Sequence, residues 1–124
     1  MYIEIDFNSD EAIYIQLRNQ IILGIATSEL KDGESLPSVR ALADAVGINM
    51  HTVSKAYAAL KQEGFVRVDR RKGVVVSVDA DKINTLAALK EYFKPLVAAA
   101  LAKGITKDEL LHMISELYDK FTIL

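Results

Sequence analysis

The spacing of apolar positions changes along the chain, and each change marks an element. Tyr2 to Phe7 alternates apolar and charged residues, a pattern open to a short edge strand or an extended arm. Ser9 and Asp10 then supply a helix start for a segment reaching Leu30. Within it Ile13, Leu17, Ile21 and Ile25 recur every four residues, share one face and read as core. Gly24 inside this helix costs about 1 kcal/mol relative to alanine, which a close helix contact would explain. Lys31-Asp32-Gly33-Glu34 reads as a turn. Ser38 is a suitable N-cap for a short helix through Ala45, with Pro37 fixing the approach, Gly47 closing the end, and Leu42 and Val46 facing inward. Asn49 caps the next helix, Met50 to Glu63, whose inward residues are Val53, Ala56, Tyr57 and Leu60, and Gly64 ends it. The connection Val46-Gly47-Ile48-Asn49 is the small-residue turn that a helix-turn-helix requires. Phe65 to Val68 and Val74 to Val78 read as strands joined by the hairpin loop Asp69 to Gly73.

Two more helices follow. The first runs from about Ile83 to Lys103, with Leu86, Leu89, Phe93, Leu96, Val97 and Leu101 apolar; Pro95 inside it is expected to kink or split it. Gly104 stops it. Thr106 and Glu109 form a capping box for the second, whose apolar positions are Leu110, Leu111, Met113, Ile114, Leu117, Tyr118 and Phe121. Two helices of this length cannot bury such stripes on each other alone. They need the preceding residues or a second copy of the chain. The pattern thus predicts a mainly α fold with a small β-hairpin (α+β), divided as residues 1–78 and 79–124, without internal repeats or low-complexity segments.

Composition narrows the function classes. A chain of 124 residues, half of them apolar, suits one domain with a small appendage and leaves no room for a separate ligand-binding domain of ordinary size. With no cysteine it has neither disulfides nor thiolate metal ligands, which fits a reducing cytoplasm. The start MYIEIDFNSDE is acidic where a signal peptide would be basic, and no apolar run approaches the roughly 20 residues needed to cross a bilayer. A cytoplasmic chain without a membrane partner is expected. The net charge of −2 is unevenly spread: residues 35–78 carry seven basic and three acidic side chains, while both flanks have an acidic excess. Duplex DNA feels the field within about 10 Å at ordinary salt, so a basic segment of an acidic chain can still bind phosphates.

The candidate chemistry lies in that basic segment. With Val53, Ala56, Tyr57 and Leu60 turned inward, Met50, His51, Ser54 and Lys55 face outward, and Asn49, Met50, His51 and Thr52 open the helix. His51 and Thr52 can bond a base or phosphate, and Met50 can touch a thymine methyl. A solvated amphipathic face explains this helix alone, but not the short helix before it and the basic hairpin behind it together. Arg40, in the first turn of that short helix, can hold a phosphate or a guanine edge. Arg70, Arg71 and Lys72 place three cations in one loop, where turn chemistry favours Gly, Asn or Asp. Catalysis finds no support. His51 and His112 are isolated from any metal-ligand spacing, the six glycines are scattered singly, and Asp79 and Asp81 flank a linker. Tyr14, Tyr57, Tyr92 and Tyr118 fall on helical stripes and read as core or interface. No enzyme, cofactor or metal is expected.

The run LPSVRALADAVGINMHTVSKAYAALKQEGFVRVDRRKG closely resembles the winged helix-turn-helix of GntR-family bacterial transcription regulators. The resemblance covers the N-terminal helix and continues to about Val78, and rests on the LPSVR start, the TV-x-KAY core and the EGF boundary. The two-helix tail resembles the YtrA-type branch. The resemblance implies a winged helix-turn-helix followed by a dimerisation segment in which Leu89, Phe93, Leu96, Leu110, Ile114, Leu117, Tyr118 and Phe121 meet a second copy. It implies DNA contacts from Ser38 and Arg40 of the PSVR motif, from Asn49, Met50, His51, Thr52, Ser54 and Lys55 of the reading helix, and from Arg70, Arg71, Lys72 and Gly73 of the wing. Many members carry arginine where Met50 and Ser54 stand, and glycine where Arg71 stands. Arg71 is thereby left to enter a narrow, A·T-rich minor groove or to hold a phosphate. The expectation is a homodimeric repressor on double-stranded DNA with a pseudo-palindromic operator, answering to an unidentified small molecule, ion or protein; an activator or architectural factor stays open, since that depends on where the operator lies relative to the promoter. A winged helix serving protein contact alone would have little use for three cations at one tip.

Overall fold

The computed structural model describes residues 1–122. These fall into two units, Met1–Asp79 and the residues from Ala80 on.

In the first unit, α1 (Ile13–Ala26) starts later than Ser9 and Asp10 suggest. The Ser9 hydroxyl accepts from the Glu11 N–H at 3.1 Å in a local turn, and Ala12 takes the cap position without a side-chain bond. The buried Gln16 does the organising instead. Its Nε2 donates to the Asp6 and Glu11 carbonyls, both at 3.0 Å, and its Oε1 accepts from the Asp6 N–H at 2.9 Å. One turn on, Gln20 Oε1 accepts from the Glu4 N–H at 2.9 Å. The segment before α1 forms no strand; these two glutamines hold it along α1 as an arm, with Ile3 and Ile5 packed at the edge of the core.

α1 also ends earlier than Leu30. Ser28 adopts φ 64°, and Leu30 folds back so that its N–H donates to the Gly24 carbonyl at 2.9 Å. A Cβ at Gly24 would lie 3.1 Å from Leu30 Cδ1. The glycine therefore admits a leucine from the following loop, not a neighbouring helix.

α2 (Val39–Val46) and α3 (Met50–Gln62) follow, then β1 (Val66–Asp69) and β2 (Gly73–Val76). The strands pair antiparallel from Val66 opposite Val76 to Asp69 opposite Gly73. The expected strands are thus shifted: Phe65, Ser77 and Val78 lie outside, while Asp69 and Gly73 close the ladder and leave Arg70–Lys72 as the tip. The segment read as a plain turn before α2 does more. Gly33 N–H donates to the Val76 carbonyl, Val76 N–H to Glu34, and Leu36 N–H to Val74, at 2.8, 2.9 and 2.8 Å. Ser35 bridges Val75, so this segment runs as a third rung against β2.

The core sits among the three helices and is closed by the root of the hairpin. Leu17 and Ile21 of α1, Leu42 and Ala43 of α2, and Val53, Ala56, Tyr57 and Leu60 of α3 meet Leu30, Leu36, Val66 and Val76. Each fully buried Leu, Ile or Val stabilises the unit by about 1.5–3 kcal/mol over an exposed one, which anchors α3 through its inner face. The expected inward residue Val46 is only half-buried, and Ala43 takes the buried place beside Leu42.

In the second unit, α4 (Lys82–Ala102) runs unbroken through Pro95. Asp81 caps it, its Oδ1 accepting from the Asn84 N–H at 3.1 Å. Pro95 removes the bond that the Glu91 carbonyl would accept, and Glu91 is exposed, so water can satisfy it. α5 (Lys107–Thr122) opens on the capping box: Thr106 Oγ1 accepts from the Glu109 N–H and Glu109 Oε1 from the Thr106 N–H, both at 3.1 Å. The Thr106 N–H, and after it the Thr106 hydroxyl, hold the Glu109 carboxyl below its ordinary range. Among the described residues, none in α4 or α5 is buried.

Candidate nucleic-acid interface

Local capping builds the helix-turn-helix. Ser38 Oγ accepts from the Ala41 N–H at 3.1 Å and starts α2. Gly47, at φ 78°, reverses the chain after Val46, a left-handed conformation that glycine adopts without a Cβ penalty. Asn49 Oδ1 accepts from the His51 N–H at 2.7 Å and starts α3. Two of the expected contact residues, Ser38 and Asn49, thus have side-chain oxygens already engaged by the fold.

The inner face of α3 is as its periodicity predicts, and Tyr57 adds a polar anchor. Its hydroxyl donates to the Pro37 carbonyl at 2.8 Å, tying α3 to the segment that enters α2. Burial pushes the Tyr57 hydroxyl up to about 12. With that face fixed, Met50, His51, Ser54 and Lys55 are exposed and Thr52 is half-buried. The structure brings these five together on one outward surface of the first turns of α3, while Arg40 is exposed on α2. The helix Met50–Gln62 ends one residue before Glu63, which forms its C-cap. Glu63 holds Arg18 of α1 through both carboxylate oxygens, with Arg18 Nε at 2.6 Å from Oε2.

At the wing, Asp69 shapes the tip. Its Oδ1 accepts from the Arg71 and Lys72 N–H groups at 2.8 and 3.0 Å, and its Oδ2 lies 3.3 Å from Arg67 NH1. These bonds, the Arg71 N–H foremost, hold the Asp69 carboxyl below its ordinary range. The backbone is folded around one carboxylate while Arg70, Arg71 and Lys72 remain exposed, and Gly73 follows at φ 77°. Sequence reading passed over Asp69 as a loop residue. Its position two residues before Arg71 is the Asx-turn spacing that would have found it.

Tyr14, expected as core or interface, does pack against the core, but its contact with Lys55 is not legible in the sequence. It is half-buried against the core, and Lys55 Nζ lies 4.3 Å from the centroid of its ring. Ile13, Tyr14, His51, Thr52 and Lys55 line a shallow open notch between α1 and α3. Helical spacing places Tyr14 near the core face but says nothing of the partner it meets across the helices. Of the other tyrosines on helical stripes, Tyr57 is core, whereas Tyr92 and Tyr118 are exposed.

Of the residues expected to meet a second copy, Leu89, Phe93, Leu96, Leu117 and Tyr118 are exposed, and Leu110, Ile114 and Phe121 are half-buried. His112 is exposed, with Nε2 2.7 Å from Glu116 Oε1 one turn on. Among the described residues no group of three His, Cys, Asp or Glu side chains is placed to hold a metal, and no helix is long and apolar enough to cross a membrane.

Three helices closed by a two-stranded hairpin, with an exposed reading helix and three cations at the hairpin tip, define a winged helix-turn-helix. Residues 10–76 match the family described as bacterial regulatory proteins, gntR family. The chain is 34% identical to the HTH-type transcriptional repressor YtrA of Bacillus subtilis over 118 residues, covering 93% of this chain and 91% of that protein. The solved structure of YtrA from Sulfolobus acidocaldarius, a GntR-family transcription factor, superposes with a TM-score of 0.68 at 40% identity, covering 81% of this chain and 97% of that one. The fold of the DNA-binding domain of AraR, solved with its operator ORX1, matches with a TM-score of 0.53 at 21% identity over 62% of this chain and 99% of that one. This chain belongs to the GntR family of bacterial regulators, DNA-binding transcription regulators and not enzymes.

Proposed function

We propose that this protein is a cytoplasmic, homodimeric repressor that binds a pseudo-palindromic operator in double-stranded DNA. Residues 1–78 read the duplex and residues 79–124 pair the two copies. The observation that carries the reading is the outward face of α3, where Met50, His51, Ser54 and Lys55 are exposed, in the same unit as a tip whose backbone is folded around Asp69 with three cations exposed. In this reading Met50, His51, Thr52 and Ser54 meet base edges in the major groove, Arg40 and Lys55 hold phosphates, and Arg70 to Gly73 approach the minor groove. Ser38 and Asn49 act through the caps they form. AraR, which shares the fold, is seen on operator DNA, and the YtrA of Bacillus subtilis is a repressor.

Dimerisation is supported by the second unit. Leu89, Phe93, Leu96, Leu117 and Tyr118 are at least 39% exposed in one chain, an apolar surface that a symmetric partner would cover. A two-fold dimer would place two reading helices on half-sites about one helical turn apart.

Titration of a duplex selected from a random pool, at several salt concentrations, tests the reading. Affinity should fall steeply, with a slope near −0.9 per phosphate neutralised. Arg71→Ala should weaken binding to all sequences and flatten that slope, whereas His51→Ala should alter preference at one or two positions. A salt-independent titration would overturn the DNA reading.

A further inference from the structure

We infer that Tyr14 is a positioning residue for Lys55, its ring holding the ammonium at the mouth of the notch beside α3, where a backbone phosphate of the duplex is taken. The inference rests on the duplex-DNA reading above and adds a residue to it. Lys55 Nζ lies 4.3 Å from the Tyr14 ring centroid, well within the reach of a cation–π contact. The remaining walls of the notch are Ile13, His51 and Thr52, so among the described residues no carboxylate lines it to compete for the cation. Thr52 and His51 belong to the first turn of α3, where the helix dipole adds positive potential.

A lysine stem is long and loses much rotamer freedom when its head is fixed. Here the ring supplies part of that ordering before DNA arrives. One face of the ammonium meets the ring, and its other hydrogens remain free for a phosphate oxygen. Tyr14 is itself packed against the core and so transmits the position of α1 to Lys55.

The test measures binding of a random-sequence duplex and of a pool-selected duplex by fluorescence anisotropy, at several salt concentrations. It compares the wild type, Tyr14→Phe, Tyr14→Leu, Lys55→Met and the Tyr14→Leu/Lys55→Met pair. Lys55→Met removes one phosphate contact from each copy and should reduce the magnitude of the dimer's salt slope by about 1.8. Tyr14→Leu should lose about two- to five-fold in affinity per copy, the scale of an exposed cation–π contact, and the square of that for the dimer. Tyr14→Phe keeps the ring and should match the wild type, and the double variant should bind no worse than Lys55→Met alone. In the free protein, the ring should shift the Lys55 ε-methylene protons upfield in wild type and Tyr14→Phe, a readout that does not need the leucine variant to fold. Absence of that shift overturns the inference. So does a Tyr14→Phe loss equal to that of leucine, additive losses in the double variant, or tighter binding by Tyr14→Leu. If the wild type binds DNA and Lys55→Met binds equally well, this inference alone fails; if the wild type binds neither duplex, the DNA reading fails.

Discussion

Replacing Tyr57 with phenylalanine isolates one hydroxyl that ties α3 to the entry of α2, and its cost should depend on pH. At neutral pH the variant keeps the ring in the core but leaves the Pro37 carbonyl, on an exposed residue, to water instead of its 2.8 Å donor, a loss of about 0.5–1.5 kcal/mol. Tyr57 is only 5% exposed, and burial raises its hydroxyl from 10.0 to about 12. A neutral acid whose folded value is raised contributes stability that is fully present below the unfolded value and is lost as pH rises toward the folded one. Two units correspond to about 2.7 kcal/mol in full, of which about 1.4 kcal/mol is gone by pH 11. The phenylalanine variant cannot lose this increment. Urea unfolding followed by far-ultraviolet circular dichroism, from pH 7 to about 11 at fixed protein concentration, should show the wild-type advantage shrinking by about 1.4 kcal/mol. Other titrating groups act on both proteins and cancel in the difference. Curves that stay parallel across this range would refute the assignment of a buried, hydrogen-bonded Tyr57.

Asp69→Asn should loosen the wing without unfolding the core, read as faster hydrogen exchange at the Arg71 and Lys72 amides that Asp69 now engages. Because the folded Asp69 carboxyl is held below its ordinary range, the ordering it provides is present at neutral pH. It should be lost only as pH falls through the lowered folded value, with amide protection following the same course. Gly24→Val should destabilise the first unit by about 1–3 kcal/mol in thermal unfolding, since Leu30 Cδ1 already lies 3.1 Å from the nearest added atom. Phe93→Lys combined with Leu117→Lys should shift sedimentation to the monomer and weaken operator binding, while the first unit unfolds at its usual temperature.

The parts of the fold legible in the sequence are those whose signals are local. Val53, Ala56, Tyr57 and Leu60 keep one uninterrupted stripe, Ser38 and Asn49 cap the residues just after them, and Thr106 and Glu109 form their box across three positions. What escaped depends on residues distant in sequence or facing the wrong way along it. Ser9 and Asp10 look like a helix start, but Gln16 reaches back from within α1 and satisfies the carbonyls of Asp6 and Glu11, moving the start to Ile13. Pairing of Ser35 with Val75 joins segments separated by two helices, which no window of periodicity spans. Pro95 does not divide α4: Leu96 and Ala98 to Ala100, strong helix formers, follow it, and the orphaned carbonyl is on an exposed residue. At the candidate interface the exposed residues of α3 followed from the buried ones, whereas Tyr14 and Asp69 had to be seen in contact with Lys55 and the wing backbone.

The rung formed by residues 33–36 against β2 makes the frame independent of the letters it displays. Its three bonds run from main chain to main chain, linking the root of the wing to the residues that lead into α2. Substitution of outward side chains on α3 leaves those bonds untouched. Under the proposed reading, new operator preferences would therefore arise by single replacements at Met50, His51 or Ser54 without rebuilding the geometry that presents them. Insertions in the Lys31–Glu34 turn lie outside this freedom: they would shift the rung and re-aim the wing, and on that reading change how the protein meets the duplex and not which bases it prefers.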